Sequence, residues 1–433
     1  MATKPQFESV EQCEDANLRQ PLDALHPRCR FCGAALRFTF VDLGLSPLCE
    51  SYVHAEQLNR MESFYPLHVY VCGKCFLVQL EEFVAPEHIF GDYAYFSSYS
   101  DSWLAHAKRY ADEMTSRFDL SPNNLVVEVA SNDGYLLQYF VERGIPVLGI
   151  EPAANVAAVA EKKGIPTLIE FFGVEMARKL AATGSMADLL VGNNVLAQVP
   201  DINDFVAGMK ILLKPSGVIT MEFPHLMRLM EENQFDTIYH EHFSYFSFVT
   251  AETIFALHGL VLFDVQELPT HGGSLRIFAR HAEDTSKPLA ERALELHERE
   301  LNGGFMKLER YSRFAMQVEE TKRKLLECLI HAKRAGKRIV GYGAPGKGNT
   351  LLNYCGIRTD FLDFTVDRNP YKQGQFLPGT HIPICPPDTL AAARPDYVLI
   401  LPWNLKDEVM EQLSFIRNWG GKFIVPIPEA QVI

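Results

Sequence analysis

The sequence predicts an α/β protein, with two units of parallel sheet flanked by helices and a small cysteine-rich module ahead of them. Three observations predict this class. From residue 123 onward, short β-prone runs alternate with stretches of helical spacing, the pattern of a doubly wound parallel sheet. The alternation resumes after residue 336, beyond a long helical stretch. Two Cys-x-x-Cys pairs precede both units and bracket further β-prone sequence.

The chain has 433 residues, of which 47% are hydrophobic and 22% charged, enough for two or three domains with proper cores. No apolar run reaches the roughly 18 residues of a membrane span. The first residues are polar and do not form a signal peptide, so residues 1–27 read as a flexible leader of a soluble, cytoplasmic protein. A formal net charge of −13 argues against a general nucleic-acid binder. A small anionic ligand stays possible, because local backbone N–H groups and a few cations suffice. We expect no membrane association, and a monomer or weak homo-oligomer.

Residues 28–85 form the first module. Cys29 and Cys32 make one pair, Cys72 and Cys75 the other. Among nine cysteines, two such pairs in a cytosolic setting favour metal over disulfide. Four thiolates complete a closed, structural zinc site with no position open to water. Gly33 and Gly73 stand where each knuckle must turn tightly. Cys49, His54 and His68 lie between the pairs as alternative ligands, whereas Cys13, Cys328, Cys355 and Cys385 read as ordinary thiols.

Residues 86–285 form the second module. The stretch 87–103 is aromatic and hydroxyl-rich, and 103–118 has helical spacing. VVEVASNDGYL then reads as strand, turn and helix, with Glu128 in the strand and Ala130, Ser131, Asp133 and Gly134 in the turn. Only Gly134 is a glycine there, and a pyrophosphate needs the close approach that three glycines permit. The acidic turn suits a cationic ligand without phosphate, and S-adenosylmethionine is one. Glu151 ends the next strand before Pro152, where an acid can hydrogen-bond ribose hydroxyls or simply cap a helix. Asn193 and Asn194 close a later strand at the cleft edge. FDTIYHEHFSYFS, residues 235–247, is the densest cluster of functional side chains. A histidine there can take a proton from carbon beside a carbonyl, with a tyrosine or protonated acid stabilising the enolate. The run could equally supply metal ligands.

Residues 286–433 hold a helical connector, about 288–336, and the third module. GYGAPGKG, residues 341–348, follows its first strand and fits two phosphate-binding patterns at once. The P-loop pattern fails, because position 348 is Gly where a Ser or Thr must hold magnesium. The dinucleotide pattern fits better, although Pro345 crowds the turn that a pyrophosphate would approach. A third reading has the turn and helix N-terminus hold the diphosphate or nucleoside of a sugar donor, with Lys347, Asn349, Tyr371 and Lys372 as contacts.

Together these residues resemble one family, the S-adenosylmethionine-dependent nucleotide-sugar C-methyltransferases. The resemblance runs from about residue 28 to the end. It includes the paired cysteines, D-Y-x-Y-x-S-S (Asp92–Ser98), E-V-A-S-N-D-G, I-E-P, G-N-N-V-x-A and Y-H-E-H. It continues through T-H-G-G-S-L-R (Thr270–Arg276), G-Y-G-A-x-G-K and D-R-N-P-Y-K-Q-G (Asp367–Gly374). It implies an N-terminal zinc-binding domain, a central Rossmann-like class I methyltransferase domain and a C-terminal second Rossmann-like domain that helps hold the nucleotide sugar. The implied reaction methylates C-3 of an NDP-4-keto-6-deoxy sugar, with dTDP as the family's nucleotide and GDP or CDP as alternatives. His242 becomes the general base, with Tyr239 and Glu241 beside the sugar. Glu128, Ala130, Ser131, Asp133, Gly134, Glu151, Pro152 and Asn193 become the cofactor site. Tyr93, Ser98, Gln198, His240, Tyr342, Lys347, Asn349, Tyr371 and Lys372 line the sugar nucleotide. Gln198 departs from the histidine that many relatives carry, and it cannot shuttle a proton. Two other classes remain as alternatives: a nicotinamide-dependent nucleotide-sugar reductase using GYGAPGKG, and a zinc-ribbon interaction protein with an inactive methyltransferase fold.

Overall fold

The structure is a computed structural model and describes residues 26–90 and 96–433. Among the described residues the strands form three sheets. The first begins with β1 (Phe38–Ser46), β2 (Tyr65–Val71) and β3 (Val78–Leu80), all antiparallel neighbours. Cys29 and Cys32 precede β1, and Cys72 and Cys75 fill the turn between β2 and β3. Each knuckle closes by the same backbone bond: Gly33 N–H donates to the Cys29 carbonyl and Phe76 N–H to the Cys72 carbonyl. The residue just after each pair takes the left-handed conformation, with φ of 71° at Gly33 and 61° at Phe76. Gly73 therefore is not the turning residue of the second knuckle. It is small because a Cβ there would stand 2.7 Å from the Phe38 ring.

The second sheet carries β4 (Val126–Val129), β5 (Val147–Ile150), β6 (Thr167–Leu168), β7 (Ala187–Asn193) and β8 (Leu213–Pro224), all parallel. The strand β9 (Ser244–Tyr245) leaves this succession and pairs with β3 of the first sheet. β10 (Leu260–Leu268) and β11 (Ser274–His281) return to the second sheet as an antiparallel hairpin, giving the order β10-β11-β8-β7-β4-β5-β6. Helices Asp101–Arg117, Ala154–Lys162, Val174–Ala182 and Ile202–Leu212 cover its faces. The chain reverses direction across the sheet between β4 and β7, the crevice where such folds bind ligands.

The third sheet has the order β14-β13-β12-β15-β16-β17. It contains β12 (Ile339–Tyr342), β13 (Thr365–Val366), β14 (Ile384–Cys385), β15 (Tyr397–Ile400), β16 (Lys422–Val425) and β17 (Gln431–Val432). Only β17 runs antiparallel to its neighbour. The connector predicted over 288–336 is broken into Glu291–Asn302, Leu308–Tyr311 and Phe314–Arg334. Gly304, at φ 82°, turns the chain between the first two.

The modules share cores. Phe40, Val69 and Leu80 of the first sheet pack in one buried cluster with Leu351 and Ile400 of the third module. The knuckle residues Cys72, Cys75 and Leu77 pack instead with the second sheet. The small N-terminal module is therefore wedged between the two larger ones. No helix among the described residues is long and apolar enough to cross a membrane.

Candidate active site and metal centre

The four cysteine sulfurs lie within 4.8 Å of one another, with Cys29–Cys75 and Cys32–Cys72 each 3.5 Å apart. Zinc bound tetrahedrally to thiolates holds sulfurs about 3.8 Å apart, so the set fits that ion. The amide of Gln79 donates to Cys29 Sγ at 3.1 Å, the outer-shell bond expected around a thiolate. Neither His68, held by Thr39 Oγ1 at 2.8 Å, nor Cys49 belongs to the cluster.

Gln79 also joins this centre to the histidine segment. Its backbone pairs with Ser244, and Leu80 N–H donates to the Phe243 carbonyl. Arg30, between the first two cysteines, donates to the Pro200 carbonyl at 2.8 Å and covers the Phe243 ring. The Tyr239–His242 segment is thus anchored at its C-terminal end by the zinc module.

A cavity of about 1160 Å³ opens where the three modules meet. At one end its wall is the crevice of the second sheet: Ala130 and Asn132 after β4, Glu151 and Pro152 after β5, Asn193 at the end of β7. Ala130 and Asn132 both take left-handed backbone, at φ 56° and 49°. Glu151 fixes that turn: its carboxylate accepts from the backbone N–H groups of Asn132 and Ala153, each at 2.9 Å. Burial nevertheless pushes the Glu151 carboxyl up, against those two bonds. Glu128 lies buried beneath, its carboxyl pushed well up by burial. Tyr135, Phe171 and Phe172 supply aromatic wall. An acidic, aromatic-walled crevice with a close-approaching backbone fits a sulfonium nucleoside better than a pyrophosphate. Ser131, Asp133 and Gly134 shape the turn from behind rather than line the cavity. A Cβ on Gly134 would meet Ile165 at 2.2 Å.

His242, Tyr239 and Glu241 line the same cavity, with Gln198. The ring of His242 lies 4.2 Å from that of Tyr239. Its Nδ1 donates to the Thr237 carbonyl at 3.0 Å, which leaves the lone pair on Nε2. Burial pushes its pKa down to about 4; the Thr237 bond opposes this and the charge of Lys347 adds to it. The imidazole is therefore a free base at neutral pH. Burial likewise keeps the Tyr239 phenol protonated. His240 turns the opposite way, to the Pro66 carbonyl and the rings of Tyr65 and Phe83, so it is no part of the cavity wall.

Lys347 and Lys372 line the same cavity. Tyr342, Asn349 and Tyr371 do not. The Tyr342 hydroxyl donates to Gln412, Asn349 is buried against Asn353, and Tyr371 is 62% exposed beside Phe96 and Tyr99. Ser98 accepts from Lys163 and faces away, while its neighbours Ser97 and Ser100 line the wall. Tyr93 lies outside the described residues.

Sequence reasoning missed several groups. Cys49 donates its thiol to Glu241 at 3.3 Å, a contact across 192 residues that no local pattern announces. Glu222, Arg276 and His106 form a buried network in the cavity wall, with the Glu222 carboxylate 2.9 Å from both partners. Burial opposes the charge of Glu222, yet His106 and Arg276 hold its pKa below the ordinary range. His271, inside the quoted T-H-G-G motif, lines the cavity at φ 55°, bonded to Asn194 at φ 58°. Its signal was present, a histidine set among glycines, but its destination was not.

Three family models match: "Putative zinc binding domain" over residues 29–90, "Methyltransferase domain" over 103–265 and "C-methyltransferase C-terminal domain" over 269–428. C-methyltransferase NovU of Streptomyces niveus is 37% identical over 415 residues, covering 96% of this chain and 97% of that protein. The chain belongs to the sugar C-methyltransferase family. This C-methyltransferase depends on S-adenosylmethionine and carries a zinc-binding domain with four clustered cysteines. Solved structures resemble it weakly. An S-adenosylmethionine-dependent methyltransferase of Clostridium acetobutylicum ATCC 824 is 11% identical, covering 41% of this chain and 92% of its own, at a TM-score of 0.34. The CcbJ methyltransferase of Streptomyces caelestis is 12% identical, covering 45% and 98%, also at 0.34. Neither adds to the family assignment.

Proposed function

We propose that this C-methyltransferase methylates C-3 of a nucleotide-linked 4-keto-6-deoxy sugar, with His242 as the base. The observation that carries the reading is the imidazole of His242, held through Nδ1 by the Thr237 carbonyl and set in the cavity wall that also carries the acidic crevice and the two lysines. A 4-ketone acidifies the C-3 hydrogen. His242 takes it on Nε2, and an enolate results. Tyr239, kept protonated, and Glu241 border the sugar. When bound, S-adenosylmethionine supplies the methyl group as a sulfonium electrophile. The crevice residues Ala130, Asn132, Glu151, Pro152 and Asn193 would hold it. Lys372 and the start of helix Gly346–Cys355 favour the anionic nucleotide. Gln198 borders the sugar as a hydrogen-bonding group only.

The test is to incubate the protein with S-adenosylmethionine and 4-keto-6-deoxy sugars on dTDP, GDP and CDP, and to weigh the sugar product. A product one methylene heavier, lost by a factor of about 10² to 10⁴ in His242→Ala, supports both reaction and base. No heavier product with any of the three sugars overturns the substrate reading.

A further inference from the structure

We propose that Lys347 is a catalytic residue whose ammonium meets the keto oxygen as that oxygen gains charge, rather than an anchor for the diphosphate. The inference rests on the keto-sugar reading above. Four cations line the cavity: Arg109, Arg276, Lys347 and Lys372. Arg276 is already paired, 2.9 Å from Glu222. Lys372 lies 3.7 Å from Glu50 and donates to the Ala344 carbonyl. Arg109 is exposed on helix Asp101–Arg117. Lys347 differs from all three. It keeps some accessible surface, because it faces the cavity, but protein surrounds it densely enough for burial to push its pKa down. It forms no ion pair among the described residues.

What holds Lys347 is neutral. Its Nζ donates to Asn404 Oδ1 at 3.0 Å and sits 4.8 Å over the Trp403 ring. Trp403 is itself tied by its indole N–H to Asp236 at 2.7 Å. The compensating carboxylate is therefore near enough to favour the ammonium but bonded to the indole instead. An ammonium has three donors, and one is used. An enclosed cation aimed by neutral groups, with donors left over, is costly unless a negative charge arrives.

Position decides which charge. Lys347 sits over Trp403, whose indole bonds Asp236, the residue before the Thr237 that holds His242, and Lys347, His242 and His271 share one cavity wall. Its positive charge is accordingly felt at both imidazoles. As the C-3–H bond breaks, the proton passes to Nε2 of His242. The C–H electron pair becomes the C-3–C-4 double bond, and the carbonyl pair moves onto oxygen. The oxyanion then lies between a new imidazolium and the ammonium. Methyl transfer then re-forms the ketone from the oxygen pair, uses the C-3–C-4 π pair for the new C-3–methyl bond, and leaves the pair of the broken methyl–sulfur bond on the released S-adenosylhomocysteine. Preorganised charge at a developing oxyanion is among the largest single contributions an enzyme makes.

The experiment uses the full chain with Lys347→Met and Lys347→Arg. It measures kcat and KM, hydrogen–deuterium exchange at C-3 with S-adenosylhomocysteine in place of the methyl donor, and the affinity for dTDP, GDP and CDP. Methionine should lower kcat and exchange on the order of 100-fold. KM and nucleotide affinity should stay within about threefold, and arginine should recover part of the exchange, as a retained charge requires. If Lys347→Met does not fold, Asn404→Ala reads the same effect by loosening the ammonium, lowering exchange with KM unchanged. A raised KM and weakened nucleotide binding with exchange intact would overturn the inference in favour of a phosphate contact. Exchange equal to wild type in Lys347→Met would overturn it outright. Absence of exchange in the wild-type protein with all three sugars would remove the keto-sugar reading, and this inference with it.

Discussion

The turns after β4 and after β12 have the same strand–turn–helix outline and are built on opposite logic. After β4 the strained positions are taken by Ala130 and Asn132, and the acid beside them in the wall is Glu151, which holds the turn. After β12 the turn is rich in glycine, yet its glycines make room for protein and not for a pyrophosphate. A Cβ on Gly341 would meet Thr365, on Gly343 Pro402, on Gly346 Cys49 and on Gly348 Leu401, all within 3.0 Å. The double phosphate signature of GYGAPGKG is thus the imprint of close packing at a three-module junction. Gly346 in particular lets the third module seat against Cys49, the thiol that bonds Glu241. Glycine content says that something approaches the backbone; only the neighbours say what. The nicotinamide reading loses its main support here.

Loss of the metal should have the gravest consequence. Stripping zinc with a chelator should cut activity by more than about tenfold, although the ion touches no substrate, because β9 and the histidine segment hang on β3. Activity and thermal-melt measurements before and after reloading check it; full activity in verified metal-free protein would refute the coupling. Next come the two turns. Gly134→Ala should destabilise by about 2 kcal/mol or more, since left-handed strain adds to the clash with Ile165. Gly346→Ala should cost less stability but displace Cys49, and should affect turnover more than the denaturation midpoint. Equal losses in both assays for both variants would erase the distinction.

A smaller, crossed effect tests the two ligands. Glu151→Ala should weaken S-adenosylmethionine about tenfold and leave the sugar KM alone, while Lys372→Ala should do the reverse. Calorimetric titration and steady-state kinetics separate them. The smallest effect is in pH. The free base of His242 has a pKa near 4 in the folded protein, against 6.5 ordinarily. kcat/KM should stay flat as pH falls from neutral to about 5, with its acid limb near 4. The sign for stability is the reverse of a salt-bridged histidine. Between pH 6.5 and 4 the unfolded chain takes up the proton and the folded one does not, so the contribution of His242 is lost as pH falls through that window. An acid limb near 6.5 would mean that the imidazole is not shielded.

Local patterns were legible where local physics decides. The sequence marks the alternation of helices and strands in the second module, the helix over Val174–Ala182, the paired cysteines and the histidine cluster, because side-chain period, thiol spacing and residue type are properties of short segments. Even there, Gly73 misled: the turning residue of its knuckle is Phe76, which tertiary packing holds against its own preference. The choice among neighbours in the site was not legible. His240 and His242 are two residues apart, and only β9 pairing and the Thr237 carbonyl send one to the Pro66 side and the other to the cavity.

What the sequence determined by itself is the fold class, the thiol set of the metal centre and the family, since each rests on residues close in the chain or on motifs in fixed order. What the tertiary structure alone decided is which side chains share one cavity. Cys49 reaches Glu241 and Asp236 reaches Trp403 only through contacts between modules far apart in sequence. Buried charge and thiol partners are chosen by such contacts, because the cost of leaving them unpaired is felt only after the modules close.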